Sequence, residues 1–216
     1  NVNKLFFIFL TAHLLIWVLI PSLTNNNLPL DTIEALAWGS NLDWGFNKHP
    51  PFSAFAVEIF YQIFGNQDWA YYLLSQIFVV FSFLIVFKFA DDFFNNKKLA
   101  FVSVLLLEGI FFYNYTTPEF NVNISQLPFW ILSIFFTWRC IKNTRVLDHL
   151  YLGLVIGLGI LSKYLFLYLV AGIILLFIYL KIYKKNKLKV ANCIITFIVA
   201  VTIISPHLFW LLENNF

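Results

Sequence analysis

Seven stretches of this chain stay apolar for the length of a membrane span, and they leave little choice of fold. They lie near residues 4–23, 69–88, 99–115, 124–140, 149–162, 164–181 and 190–212. A helix needs about 17–25 such residues to cross the hydrocarbon core, where no water is available for an unsatisfied backbone group. Only 12% of the residues are charged and 61% are hydrophobic, against roughly a quarter charged in soluble domains. The expectation is an all-α integral membrane protein with about seven transmembrane helices. Run 149–162 is short, and Pro206 breaks the last run. A further stretch, 50–64, is interrupted by Glu58 and Gln62 and reads as an interfacial or re-entrant helix. The first run has signal-peptide hydrophobicity but no small-residue cleavage motif after it, so it reads as a retained helix. The chain opens without Met and stops at "LLENNF" just after an apolar run. It therefore reads as one transmembrane module, 1–216, from the N-terminal part of a longer protein.

Charge sets the orientation. With a cytoplasmic N-terminus, the inner side holds Lys4, Lys88, Lys97, Lys98, Arg139, Lys142, Arg145, Lys181, Lys184, Lys185, Lys187 and Lys189, which is 12 of the 14 basic residues. That asymmetry satisfies the positive-inside rule, and the short inner loops read as anchors for anionic lipid. Only Lys48 and Lys163 fall outside. Cys140 and Cys193 sit at inner span ends, where a reducing cytosol keeps thiols free. The "NYT" at Asn114 and "NIS" at Asn123 match a glycosylation sequon that is common by chance.

The first outer loop, 24–68, is long and rich in aromatics, which argues for folded short amphipathic helices on the membrane surface. Within "LDTIEALAWG", Asp31 and Glu34 stand three apart and share one helix face. They fit either a capping-box-like pair with Asp31 as N-cap or a catalytic pair. In "NKHPP", Pro50 and Pro51 stiffen the backbone at His49, so Lys48 and His49 suit an anionic oxygen group or a snorkelling turn. Lys163, in the tight hairpin "LSKYL" beside Tyr164, is expensive near a membrane interior unless it faces a partner or a polar cavity. The second outer loop, "YTTPEFNVN", adds Glu119, Asn121 and Asn123 next to Pro118. Two carboxylates with two or three cations at headgroup level fit transfer from a lipid-linked phosphate. The cations would stabilise the charge on the leaving phosphate, and a carboxylate would take the proton of the attacking hydroxyl.

The order Asp-x-x-Glu-Ala, "WGFNKHPP", "TPEFNVN", "GLGILSKY" and "PHLFW" resembles the N-terminal half of the dolichyl-phosphate-mannose–protein mannosyltransferase-like membrane glycosyltransferases, which include the aminoarabinose transferases of lipid A. The resemblance covers nearly the whole chain. It implies a GT-C fold, a polyprenyl-phosphate sugar donor (undecaprenyl in a bacterium) and a lipid, glycan or protein acceptor. It also implies a single inverting displacement and an active site on the periplasmic face of the inner membrane. By the same resemblance Asp31 is the base, with Glu34 as base or orienting partner, while Lys48 or His49, together with Lys163, contacts the donor phosphate. Glu119, Asn121, Asn123 and Tyr164 are the substrate-binding candidates. Many relatives carry adjacent Asp-Glu and a later Pro-Asp, where this chain has spaced acids and Pro118-Glu119.

The four histidines (13, 49, 149 and 207) are scattered and no His/Cys pairing has ligand spacing, so no cofactor is indicated, and a divalent metal is the one kind the reading leaves open. Nothing points to nucleic acid. His13 lies mid-span and is expected to make an interhelical hydrogen bond, whereas His207 fits an outer mouth or plain packing. The alternative function is a lipid-linked-substrate transporter or flippase, which would favour mid-span charge and repeat symmetry. Glu108 is the one clear mid-span acid, and no repeat is visible. A non-catalytic lipid-binding scaffold would explain the spans but not the outer charges.

Overall fold

The computed structural model describes residues 1–184 and 188–215, so Lys185 and Lys187 of the inner basic cluster lie outside the described residues. The described residues form nine α-helices: α1 (Val2–Thr24), α2 (Leu30–Gly39), α3 (Phe52–Phe64), α4 (Asp68–Phe94), α5 (Lys97–Glu108), α6 (Val122–Asn143), α7 (Val146–Ser162), α8 (Phe166–Ile182) and α9 (Val190–Glu213). A 3-10 turn covers Phe111–Tyr113. Four of the helices, α1, α4, α6 and α9, are long and apolar enough to cross a membrane. Helices α7 and α8 have 17 residues each, or about 25 Å of helix. The expected span at 99–115 differs more. Helix α5 ends at Glu108 with Gly109 as its C-cap, leaving about 18 Å of helix, and the rest of the run turns through the 3-10 segment. The short helices expected in the first outer loop form as α2 and α3.

Proline does not break the last helix as its sequence suggested. Pro206 has no N–H to offer the Thr202 carbonyl, but the Ser205 hydroxyl donates to that oxygen at 2.8 Å. With the orphan acceptor satisfied, α9 runs on to Glu213.

The chain divides into two compact units. Unit 1 contains Asn1–Leu42 and Ser53–Pro128, and unit 2 contains Asp43–Phe52 with the chain from Phe129 onward. The core of unit 1 is aromatic. Phe6 stacks on Phe87 with ring centroids 4.0 Å apart, and Phe83 is buried against Phe9 and Tyr113. In lipid the apolar effect contributes little to helix association, so such close packing carries it.

Unit 2 shows the small-residue solution to the same problem. Gly153 and Gly157 lie four apart on α7 and let α9 approach closely. A Cβ on Gly157 would sit 2.6 Å from Ile203 Cβ, and one on Gly153 would sit 2.6 Å from the Thr196 carbonyl oxygen. Gly172 on α8 has nothing within 4 Å of the same position. Alanine at either helical glycine gains about 1 kcal/mol of helix propensity, but at 157 that gain meets overpacking of about 1–3 kcal/mol. Thermal unfolding in detergent should therefore show Gly157→Ala melting below wild type and Gly172→Ala at or above it.

Candidate functional site

In unit 1 the candidate residues gather at the N-terminus of α2. Its N-cap is Pro29, which brings no side-chain cap, and Asp31 lies in the first turn. Asp31 is thus not the cap that its spacing to Glu34 allowed, and the capping-box alternative gives way. The helix instead draws its cap from the second loop, 88 residues on. The Asp31 N–H donates to Glu119 Oε1 at 3.1 Å, which places an anion where the helix dipole and a free N–H favour it. Next to it, the buried Thr32 hydroxyl donates to the Phe120 carbonyl at 3.1 Å.

A third contact fixes the carboxylate itself. Asn121 Nδ2 donates to Asp31 Oδ2 at 3.2 Å. The other end of the same amide, Oδ1, accepts from the Asn123 and Ile124 N–H groups at 2.9 and 3.2 Å, which caps α6. One Asn side chain thus starts a helix and holds an acid, and its orientation is set by the helix it caps. Asp31, Glu34, Glu119 and Asn121 are half-buried, and Asn123 is exposed. Beside Glu119 a cavity of about 440 Å³ opens between the end of α1 and the second loop, lined among others by Trp17, Asn25, Tyr115 and Thr116.

In unit 2 the organising residue is His207, which sequence reasoning left between a site and packing. It is 1% exposed. Its Nδ1 lies 2.6 Å from the Trp44 carbonyl, which can only accept, so Nδ1 carries the proton. Nε2 is then the acceptor, and the Tyr164 hydroxyl donates to it at 2.7 Å. Burial raises the Tyr164 pKa above its ordinary value and keeps that hydroxyl protonated. Trp210 stacks on His207 at 6.1 Å, and its ring lies where a Cβ on Gly45 would fall, 2.3 Å away. "PHLFW" therefore grips both "WG" and "KY", and only glycine fits at position 45.

This grip places the two basic segments. The Phe46 N–H donates to the His49 carbonyl at 3.1 Å, closing a loop across Asn47 and Lys48 before the buried Pro50 and Pro51. Lys48 is exposed and His49 half-buried. Lys163 is the C-cap of α7, and its carbonyl accepts from the Phe166 N–H that begins α8, at 3.0 Å. Among the described residues, no three His, Cys, Asp or Glu side chains gather to hold a metal ion.

Sequence reasoning missed Thr32 and Trp44. Thr32 carried no sequence signal, because its partner is a carbonyl far along the chain. His207 and Trp44 did carry one, since both fall in the ordered motifs.

An all-helical chain with several membrane-length apolar helices, a pinned carboxylate and basic loop segments defines a multi-pass membrane protein of the GT-C type. The family model described as dolichyl-phosphate-mannose-protein mannosyltransferase matches residues 48–210, three-quarters of the chain. The chain belongs to this family. It is 28% identical over 67% of its length to the undecaprenyl phosphate-alpha-4-amino-4-deoxy-L-arabinose arabinosyl transferase of Wigglesworthia glossinidia brevipalpis, covering 26% of that protein. It is 26% identical over 96% of its length to the lipopolysaccharide core galacturonosyltransferase RgtB of Rhizobium johnstonii, covering 42%. To the lipid A galacturonosyltransferase RgtD of the same organism it is 25% identical over 86%, covering 39%. The chain thus spans between a quarter and about two-fifths of these relatives. No solved structure matches it.

Proposed function

We propose that this chain is the membrane-embedded part of a glycosyltransferase that moves a sugar from a polyprenyl-phosphate donor to a lipid of the bacterial envelope. The observation that carries the reading is the Asp31 carboxylate, held by Asn121 in a chain of this family. The acceptor hydroxyl attacks the anomeric carbon and gives its proton to Asp31. The bond from that carbon to the phosphate oxygen breaks with inversion, and polyprenyl phosphate leaves. Lys48, His49 and Lys163 stabilise the charge that grows on the departing phosphate. Glu119 caps α2 and Asn121 orients the base, while Tyr164 sets the hairpin that carries Lys163. Glu34 and Asn123 flank the acid cluster on α2 and α6.

The names of the relatives support an undecaprenyl-phosphate sugar as donor, and lipid A or lipopolysaccharide core as acceptor. The distribution of basic residues supports the inner membrane, with the site on the periplasmic face. Glu108, read from the sequence as a mid-span acid that would favour a transporter, is instead the last residue of α5 and is paired with His13 at 2.9 Å.

The test is transfer by the full-length protein in liposomes, from defined undecaprenyl-phosphate sugars to lipid A or core, followed by mass spectrometry. A sugar-sized mass gain on the acceptor is expected. Movement of the donor between leaflets with no mass gain would establish the flippase reading instead. In the same assay Lys163→Gln should lower kcat/KM by about 10²-fold at unchanged protein yield, and an unchanged kcat/KM would remove Lys163 from the phosphate contacts.

A further inference from the structure

Unit 1 contains a buried polar chain that the proposed chemistry does not use. It runs from α5 through α1 and α4 to the loop that holds Asp31, and its hydrogen-bond directions can be solved from one end. The Thr117 hydroxyl lies 2.7 Å from the Asn114 carbonyl, which can only accept, so the hydroxyl proton goes there. Gln76 Nε2, 2.8 Å from the same hydroxyl, must then be the donor. That orientation turns Gln76 Oε1 toward His13 Nε2 at 3.1 Å, and an amide oxygen only accepts, so Nε2 carries a hydrogen.

His13 Nδ1 is what remains, and it faces Glu108 Oε2 at 2.9 Å. Both atoms are sealed from solvent and neither has another hydrogen-bond partner. Were the ring neutral and the carboxylate ionised, two lone pairs would face each other at 2.9 Å with no hydrogen between them, which is unfavourable at two atoms that no solvent reaches. One more proton resolves this, carried on the ring as imidazolium or on the carboxyl. We infer that His13 and Glu108 hold a single shared proton within the helices of unit 1, and that this pair positions the 114–121 loop and, through it, Asp31.

The link to the loop is direct. Thr117 is fully buried, its carbonyl accepts from the Ser75 hydroxyl, and Asn114 Nδ2 donates to the Glu108 carbonyl at 2.5 Å. Two residues beyond Thr117 the same loop delivers Glu119, Phe120 and Asn121 to α2. His13 and Glu108 are thus positioning residues, and they act through the loop.

The proton claim is independent of the glycosyltransferase reading, whereas the positioning of a base rests on it, so the test has separate arms. Full-length protein with ¹⁵N-histidine is placed in lipid nanodiscs, and the His13 signals are assigned by their loss in His13→Gln. In Glu108→Gln the carboxyl that shares the proton is gone, and the new amide can donate to Nδ1. The expected spectrum shows a protonated Nε2 and a bare Nδ1, and the reverse tautomer overturns the shared proton. Hydrogen–deuterium exchange of amides 114–121 should be faster in Glu108→Leu than in Glu108→Gln, and equal exchange overturns the positioning role. In the transfer assay Gln76→Leu and Glu108→Leu should lower kcat about tenfold with donor KM within about twofold, and Glu108→Gln should recover most of the loss. Unchanged kcat in both leucine variants, in a protein that does transfer sugar, overturns the link to Asp31. Absence of transfer in the wild type defeats the glycosyltransferase reading and leaves the spectroscopic and exchange arms to decide.

Discussion

Asp31→Asn should reduce sugar transfer by about 10²–10⁴-fold, the usual contribution of a general base, while the protein still inserts and melts as wild type. The structure makes this substitution unusually clean. The new amide keeps an oxygen that can accept from Asn121 Nδ2, where Asp31 Oδ2 now accepts at 3.2 Å. The Glu119 cap falls on the backbone N–H of residue 31, which the change leaves alone. What is lost is basicity, plus a few tenths of a kcal/mol of helix-dipole stabilisation in the first turn. Asn121→Leu gives the contrasting case, because it leaves the base and removes its holder together with the α6 cap. Its loss of rate should be smaller, and a lowered melting temperature should accompany it. Transfer assayed with a defined undecaprenyl-phosphate donor, beside a detergent melt, separates the two. Wild-type turnover in Asp31→Asn would remove Asp31 as the base.

Helix-length apolar runs made the membrane fold legible, because they follow from the solvent rather than from any particular partner. The tight turn at Lys163 was legible for a similar local reason, as polar residues interrupt two apolar helices there. The acid cluster was only half legible. Asp31, Glu119 and Asn121 could each be singled out as polar groups in outer loops, yet Asp31 also read as a helix cap. That ambiguity needed Glu119, a cap supplied from another element, to settle it. Local rules also misjudged the ends of two runs. At 99–115 the apolar pattern hides a helix stop at Gly109, and at Pro206 a single serine hydroxyl keeps the helix intact. His13 was expected to bond between helices, and it does, to Gln76. That Glu108 is its second partner depends on how α1 packs against α5, which spacing along the chain does not encode.

Arg139→Leu should be the most damaging substitution in unit 2. Arg139 Nε donates to Asp148 Oδ1 at 2.7 Å, and the Asp148 side chain is only 2% exposed. The pair joins the C-terminal part of α6 to the first turn of α7, where the α7 dipole also favours the acid. Asp148 Oδ2 has no other hydrogen-bond partner, so the guanidinium is the main compensation for a buried charge. Its removal should cost about 3–5 kcal/mol, and at about 2–4 °C per kcal/mol for a chain of this size the melting temperature should fall by roughly 6–20 °C. Replacing both partners, as in Arg139→Leu with Asp148→Leu, removes the stranded charge and should recover most of the loss. Arg139→Lys should fall between, since an ammonium keeps the charge but not the planar fork that Arg139 also lays over the Phe135 ring at 5.6 Å. Fluorescence-detected melting of the four proteins in one detergent decides the matter. If the single leucine variant melts with wild type, Asp148 is compensated by something other than Arg139; if the double variant melts no higher than the single one, the damage comes from lost packing at the α6–α7 turn rather than from an unpaired carboxylate.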